Sequence, residues 1–241
     1  MAFANQNNCA LGSEANMAEK IKIKSTAADG FAFGALHAEA KGQRKGGVIV
    51  IQEIFGIDQY VRADVERWAE RGYEALAPYM YDRVAPDFEV SHDDMQTAIA
   101  TVGRAKPEDA MADVQACINY LRPRGPVFIV GYCYGGTIVW QAAGRLEGLA
   151  AGSSYYGGGV AGAADLAPKC PVICHFGRKD GYIPADEVKA KLASAQPGVA
   201  VHIYENSGHG FNNHGRPDSH PDDAALAQER TLALFEANGA A

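Results

Sequence analysis

Short unbroken apolar runs recur along the chain, and most are followed by a stretch whose apolar residues repeat at helical spacing. A strand buried on both faces reads as such a run, because no position along it meets water. Gly47 to Gln52, Tyr73 to Met80, Pro126 to Val130, Leu149 to Tyr155, Pro171 to Phe176 and Val199 to Tyr204 predict strands of this kind. Between them the period changes. Val61, Val65, Trp68 and Ala69 predict a helix capped by Asp58 and stopped by Gly72. Residues 87–106 read as helical in the middle, and from Pro107 a further helix presents Ala110, Met111, Val114, Cys117, Ile118 and Leu121 on one face. Thr137 to Leu146, Pro184 to Ala195 and Asp222 to Asn238 predict three more helices. The last takes its apolar side from Leu226, Leu232, Leu234 and Phe235.

The beginning is different. Lys20 to Lys24 alternate strictly, and Gly30 to Ala38 alternate again after the turn-like Ala28-Asp29-Gly30. That pattern predicts an antiparallel pair at a sheet edge, with His37 as a strand surface residue. The succession of strands and helices implies an α/β chain with a mostly parallel central sheet and helices on both faces. At 241 residues, without repeats or linkers, residues 19–241 fit a single domain, and the small, polar residues 1–18 read as a flexible leader.

Composition narrows the partners. Apolar residues make up 47% and charged residues 21%, which is ordinary for a globular chain. A net charge of −7 without basic runs leaves no footprint for nucleic acid or an anionic membrane surface. Neither a signal-peptide pattern near Met1 nor a spanning segment is visible, so the expectation is an unexported, cytoplasmic protein. Five scattered cysteines, Cys9, Cys117, Cys133, Cys170 and Cys174, do not form a disulfide framework. Cys170 and Cys174 read as buried apolar cysteines rather than a zinc or redox pair.

One cysteine stands apart. Gly131-Tyr132-Cys133-Tyr134-Gly135-Gly136 follows a predicted strand and precedes a predicted helix, and its G-x-C-x-G pattern matches a nucleophile elbow with cysteine in place of serine. Taken alone, it reads equally as a buried cysteine beside turn glycines. A nucleophilic cysteine needs a base, and the base needs an orienting partner. Asp180, in Gly177-Arg178-Lys179-Asp180-Gly181, and His209, in Ser207-Gly208-His209-Gly210-Phe211, each follow a later strand. Nucleophile, acid, histidine is the chain order of an α/β-hydrolase triad. Singly, Asp180 is a turn residue and His209 a solvated loop histidine. Together, in order and each behind a strand, they form a constellation.

With these residues in view, the chain over about residues 20–237 resembles the dienelactone hydrolase family of the α/β-hydrolases. The resemblance rests on the Cys133 hexapeptide, Gln52-Glu53-Ile54-Phe55-Gly56, the Arg178-Lys179-Asp180 loop and Gly208-His209-Gly210-Phe211. It implies the α/β-hydrolase fold, Cys133 as nucleophile, His209 as general base then acid, and Asp180 as the carboxylate orienting it. It implies further that Glu53 lies beside Cys133 and can take its proton, whereas the residues alone leave Glu53 as an exposed carboxylate pairing with Arg62 or another base. Backbone N–H groups of Ile54 and Tyr134 would form the oxyanion hole. Arg83 matches one of the family's two carboxylate-binding arginines, and Asn213 stands where the second is expected.

The histidines and aspartates of the tail, His209, His214, His220, Asp218, Asp222 and Asp223, could be read as a metal site, but the intervening Gly, Asn and Pro fix no two of them on one face. A solvated loop leading to a capped helix is the better reading. The expectation is thus a hydrolase of small lactones or esters acting through a thioester, with neither metal nor organic cofactor. The alternative is a catalytically silent fold whose Cys133 serves as a redox sensor or ligand-binding thiol.

Overall fold

A computed structural model of the chain describes residues 18–241. The expected leader, apart from Ala18, lies outside the described residues, as does Cys9. Eight strands are present: β1 (Glu19–Lys24), β2 (Ala32–Ala38), β3 (Gly46–Ile51), β4 (Tyr73–Pro78), β5 (Val127–Tyr132), β6 (Ala151–Tyr155), β7 (Val172–Gly177) and β8 (Ala200–Tyr204). Six α-helices accompany them: α1 (Gln59–Glu70), α2 (Met95–Val102), α3 (Pro107–Leu121), α4 (Tyr134–Arg145), α5 (Ala185–Ala195) and α6 (Pro221–Ala237). The strands form one sheet in the order β1-β2-β4-β3-β5-β6-β7-β8. β1 with β2 and β2 with β4 are antiparallel, and the remaining pairs are parallel. This is the α/β-hydrolase fold.

The unbroken apolar runs are explained by two cores. Side chains alternate across a strand. Val48, Val50, Phe128 and Val130 therefore pack on one side with Val61, Val65 and Trp68 of α1, Val188 and Leu192 of α5, and Phe235 of α6. Ile49, Ile51, Val127 and Ile129 pack on the other with α3. Both faces are dry along β3 and β5, so Val48 to Ile51 and Val127 to Val130 are all apolar. Asp58 caps α1 as its sequence predicts, its Oδ1 accepting from the N–H groups of Tyr60 and Val61, both at 3.0 Å.

His37 departs from expectation. It is not a surface residue but is 4% exposed, with Nε2 2.9 Å from Oε1 of Glu74. The reason is topological. β1 takes the edge, so β2 is an inner strand pairing on both sides, and Glu74 of β4 is itself buried and held by Arg44 and Arg124. Helix α6 also differs from its predicted stripe. Leu226 is exposed and Leu232 and Leu234 are half-buried, while Ala224, Ala227, Thr231 and Phe235 face the sheet. Thr231 is drawn inward because its hydroxyl meets Ser153 Oγ at 2.8 Å and the Tyr155 hydroxyl at 2.9 Å.

Helix α4 begins at Tyr134, three residues before its expected start, so Gly135 and Gly136 lie in its first turn. They admit the backbone of neighbouring strands. A Cβ on Gly135 would stand 2.3 Å from the Ile51 carbonyl oxygen. Only glycine lets this helix start so close to the sheet.

Candidate active site

The strand-to-helix turn leaves a single residue, Cys133, between β5 and α4, at φ 54° and ψ −111°. Few described residues other than glycine have positive φ, and such backbone costs about 1–3 kcal/mol. Two bonds hold it there. The Cys133 N–H donates to the Tyr155 carbonyl at 3.0 Å, and its own carbonyl accepts from Thr137 N–H at 3.2 Å. The turn leaves Cys133 partly exposed, lining a cavity of about 460 Å3 at the C-terminal end of the parallel strands.

Asp180 and His209 arrive from the loops after β7 and β8. Those loops are joined by backbone, Lys179 N–H donating to the Ser207 carbonyl at 2.8 Å. Their approach depends on Gly177, where a Cβ would lie 2.4 Å from the Ser207 carbonyl oxygen. Asp180 is fixed from two sides. Its Oδ1 accepts from Tyr182 N–H at 2.8 Å and Ile183 N–H at 3.1 Å, and its Oδ2 meets His209 Nδ1 at 2.8 Å. That bond commits Nδ1 and leaves Nε2 for the cavity that Cys133 and His209 both line. Burial works to lower the His209 pKa, but the bond to Asp180 and the neighbouring Cys133 outweigh it and hold the imidazole up at about 10.

Glu53 follows β3 and lines the same cavity. It is 5% exposed rather than a free loop carboxylate, and burial raises its pKa against the opposing pull of Arg216 and His209. Arg216 Nη1 donates to Glu53 Oε2 at 3.3 Å, while Oε1 is buried without a hydrogen-bond partner among the described residues. Arg62, the base its sequence suggests, pairs instead with Glu89. The Glu53 loop is braced by Gln52, whose side chain bonds the Glu53 carbonyl at 3.2 Å and the Met80 N–H at 3.3 Å. It is braced again by His92, which stacks on Phe55 at 3.9 Å and reaches Asp58 Oδ2 at 2.6 Å. Ile54 and Tyr134 both line the cavity. Tyr134 opens α4, where N–H groups have no acceptor within the helix.

Arg83 is not brought to Cys133. It pairs with Asp29, reaches Asp113 Oδ1 at 3.2 Å and lies over the Phe31 ring at 4.4 Å, in a separate cleft. Three carboxylates, those of Asp29, Asp109 and Asp113, gather around it, which is why it turns toward α3 and away from the cavity. Asn213 is likewise absent from the cavity lining and sits 5% exposed beneath Glu53 in a small space shared with Asp64 and Tyr132. The guanidinium that does line the cavity, among the described residues, is that of Arg216. It lies in the tail loop, where only the histidines and aspartates draw attention in the sequence. The structure separates those: His209 bonds Asp180, and His220 Nδ1 caps α6 by accepting from Asp223 N–H at 3.3 Å. A larger cleft of about 630 Å3, lined by Asp64, Arg67, Tyr132 and the outer face of α6, contains none of Cys133, Asp180 and His209.

Known proteins carry the same arrangement of chain. Residues 33–239 match the model of the dienelactone hydrolase family. A carboxymethylenebutenolidase of Pseudomonas putida is 32% identical over 228 residues, covering 90% of this chain and 95% of that one. Another, from Pseudomonas sp. strain P51, is 30% identical and covers 85% and 90%. Among solved structures, "Putative Dienelactone Hydrolase" from Klebsiella pneumoniae superposes with a TM-score of 0.79 at 28% identity over 92% of this chain and 99% of that one. The chain belongs to the dienelactone hydrolase family.

Proposed function

We propose that the protein hydrolyses small lactones or carboxylic esters with Cys133 as nucleophile, through a thioester. The observation that carries this reading is the shared cavity of Cys133 and His209, with Asp180 fixing the histidine tautomer from behind. The Cys133 thiolate attacks the carbonyl carbon, and the oxygen that becomes negative is met by the N–H groups of Ile54 and Tyr134. Collapse breaks the C–O bond, the His209 Nε2–H protonates the departing alkoxide, and a thioester remains. Water then attacks, giving its proton to His209, and the thiolate leaves. For a lactone the alcohol stays tethered, so hydrolysis must outrun ring closure.

Glu53 supplies the control. Its carboxylate, paired with Arg216 in a buried setting, disfavours a second negative charge beside it, which keeps Cys133 a thiol at rest. A substrate carboxylate that engages Arg216 would free Glu53 to take the Cys133 proton. In this chain Arg216 would thus serve as the carboxylate-binding cation in place of Arg83 and Asn213. The test is a panel of lactones and esters, with and without a carboxylate, on wild type and Cys133→Ala. Turnover by the wild type that is abolished in Cys133→Ala supports the reading. Undiminished turnover in Cys133→Ala, or no turnover on any carbonyl substrate together with reversible oxidation of Cys133, would replace it with a thiol sensor.

A further inference from the structure

Among the described residues the exposed large hydrophobic side chains are Met95, Ile99, Tyr120, Tyr182 and Leu226. Three of these five, Met95, Ile99 and Tyr182, line the Cys133 cavity. Leaving apolar surface in water forgoes the main stabilising contribution of folding, so a concentration at one mouth calls for an occupant. Met95 and Ile99 lie four residues apart on one face of α2. That helix commits only Ala98 and Thr101 to the interior, and Met95 and Ile99 border the cleft. Tyr182 faces them from the Asp180 loop. Although 78% exposed, it is positioned by the acid itself, whose Oδ1 takes its N–H, and its ring stands edge-on to His209 with centroids 5.4 Å apart.

The wall continues inward. Phe55 and Ile183, both buried, carry it toward Cys133, while the charged groups Glu53, Arg216 and Asp218 also line the cavity. A cavity of about 460 Å3 falls in the range that encloses a drug-sized ligand, and a lone lactone ring would leave most of it unfilled. Resting on the hydrolase reading, we propose that Met95, Ile99 and Tyr182 form a subsite for an apolar substituent, so that the preferred substrate is an ester or lactone carrying an aryl or medium-length alkyl group. The wall is concave and ends on the nucleophile, which suits a small molecule rather than a protein surface. Each methylene laid on it improves kcat/KM by about twofold to fourfold, depending on how fully the open mouth buries it.

The test uses p-nitrophenyl acetate, butyrate and hexanoate and a matching series of alkyl acetates, on wild type and on Met95→Ser/Ile99→Ser/Tyr182→Ser. The expected result is a rise in kcat/KM with chain length in at least one series, carried by KM, with the long-to-short ratio falling about tenfold in the triple variant. A second readout needs no turnover: the alkylation rate of Cys133 by 2-iodo-N-phenylacetamide relative to iodoacetamide, which the variant should lower. All three side chains are exposed, so thermal unfolding should be unmoved. Flat series in the wild type, or ratios that survive the triple substitution, overturn the subsite. Failure to hydrolyse any ester would count against the hydrolase reading alone, and the alkylation ratio would still decide the subsite.

Discussion

Arg216 and Glu53, 163 residues apart in sequence, meet in the Cys133 cavity with Nη1 3.3 Å from Oε2. Under the proposed function, this pair sets which substrates the cavity accepts. A charge-assisted hydrogen bond to a substrate carboxylate contributes about 1.5–3 kcal/mol, or roughly tenfold to a hundredfold in kcat/KM. Arg216→Gln should lose that much on a carboxylate-bearing lactone and distinctly less on an uncharged ester, measured by steady-state kinetics on matched substrates.

Arg83→Ala should behave in the opposite way. Its guanidinium joins Asp113 of α3 to Asp29 in the loop before β2, outside the Cys133 cavity. Because Asp29 is solvent-exposed, the loss of stability should be modest, about 1–2 kcal/mol by denaturant unfolding, with the preference for carboxylate-bearing substrates retained.

Glu53 gives a pH signature. Burial raises its pKa, so the folded protein holds this proton more tightly than the unfolded chain. The cost of ionising it is absent below the ordinary glutamate value of about 4.3, grows as pH rises and is complete above the raised value. Glu53→Gln should therefore be more stable than wild type at pH 7–8 and converge with it near pH 4, as read by thermal unfolding across pH.

For His209 the sign is reversed. The imidazolium is favoured in the fold up to about pH 10, so its contribution is whole below the unfolded value of about 6.5 and is lost as pH passes about 10. His209→Gln should lose more stability relative to wild type at pH 6 than at pH 10.5. Asp180→Asn, which removes the main partner of Nδ1, should cost roughly a thousandfold or more in kcat while leaving the fold intact.

That Cys133 and His209 meet at one cavity, with Asp180 bonded behind the histidine, was legible in the sequence because each stands directly behind a strand whose apolar run is unmistakable. Position in an α/β sheet converts chain order into spatial proximity, so motif and topology carried the same information. Arg216 was not legible. It sits in a loop without periodicity, and its pairing with Glu53 depends on where the tail folds back, which no local pattern encodes. Arg83 lies outside the Cys133 cavity for a related reason: Asp29, Asp109 and Asp113 come from two distant segments, and their combined pull is visible only once the loop before β2 lies against α3. His37 failed differently. Alternation reports that one face of a strand is apolar, but it does not say whether a polar residue on the other face meets water or, as here, a buried Glu74.

The most direct test of Cys133 as nucleophile is the intact mass of His209→Ala after brief exposure to a reactive ester, followed by peptide mapping. Without the histidine, deacylation should stall. The expected result is a mass increase equal to one acyl group, mapped to the peptide containing Cys133 and absent from Cys133→Ala/His209→Ala. An acyl group on any other residue, or wild-type turnover with no Cys133 adduct under any trapping condition, would contradict it.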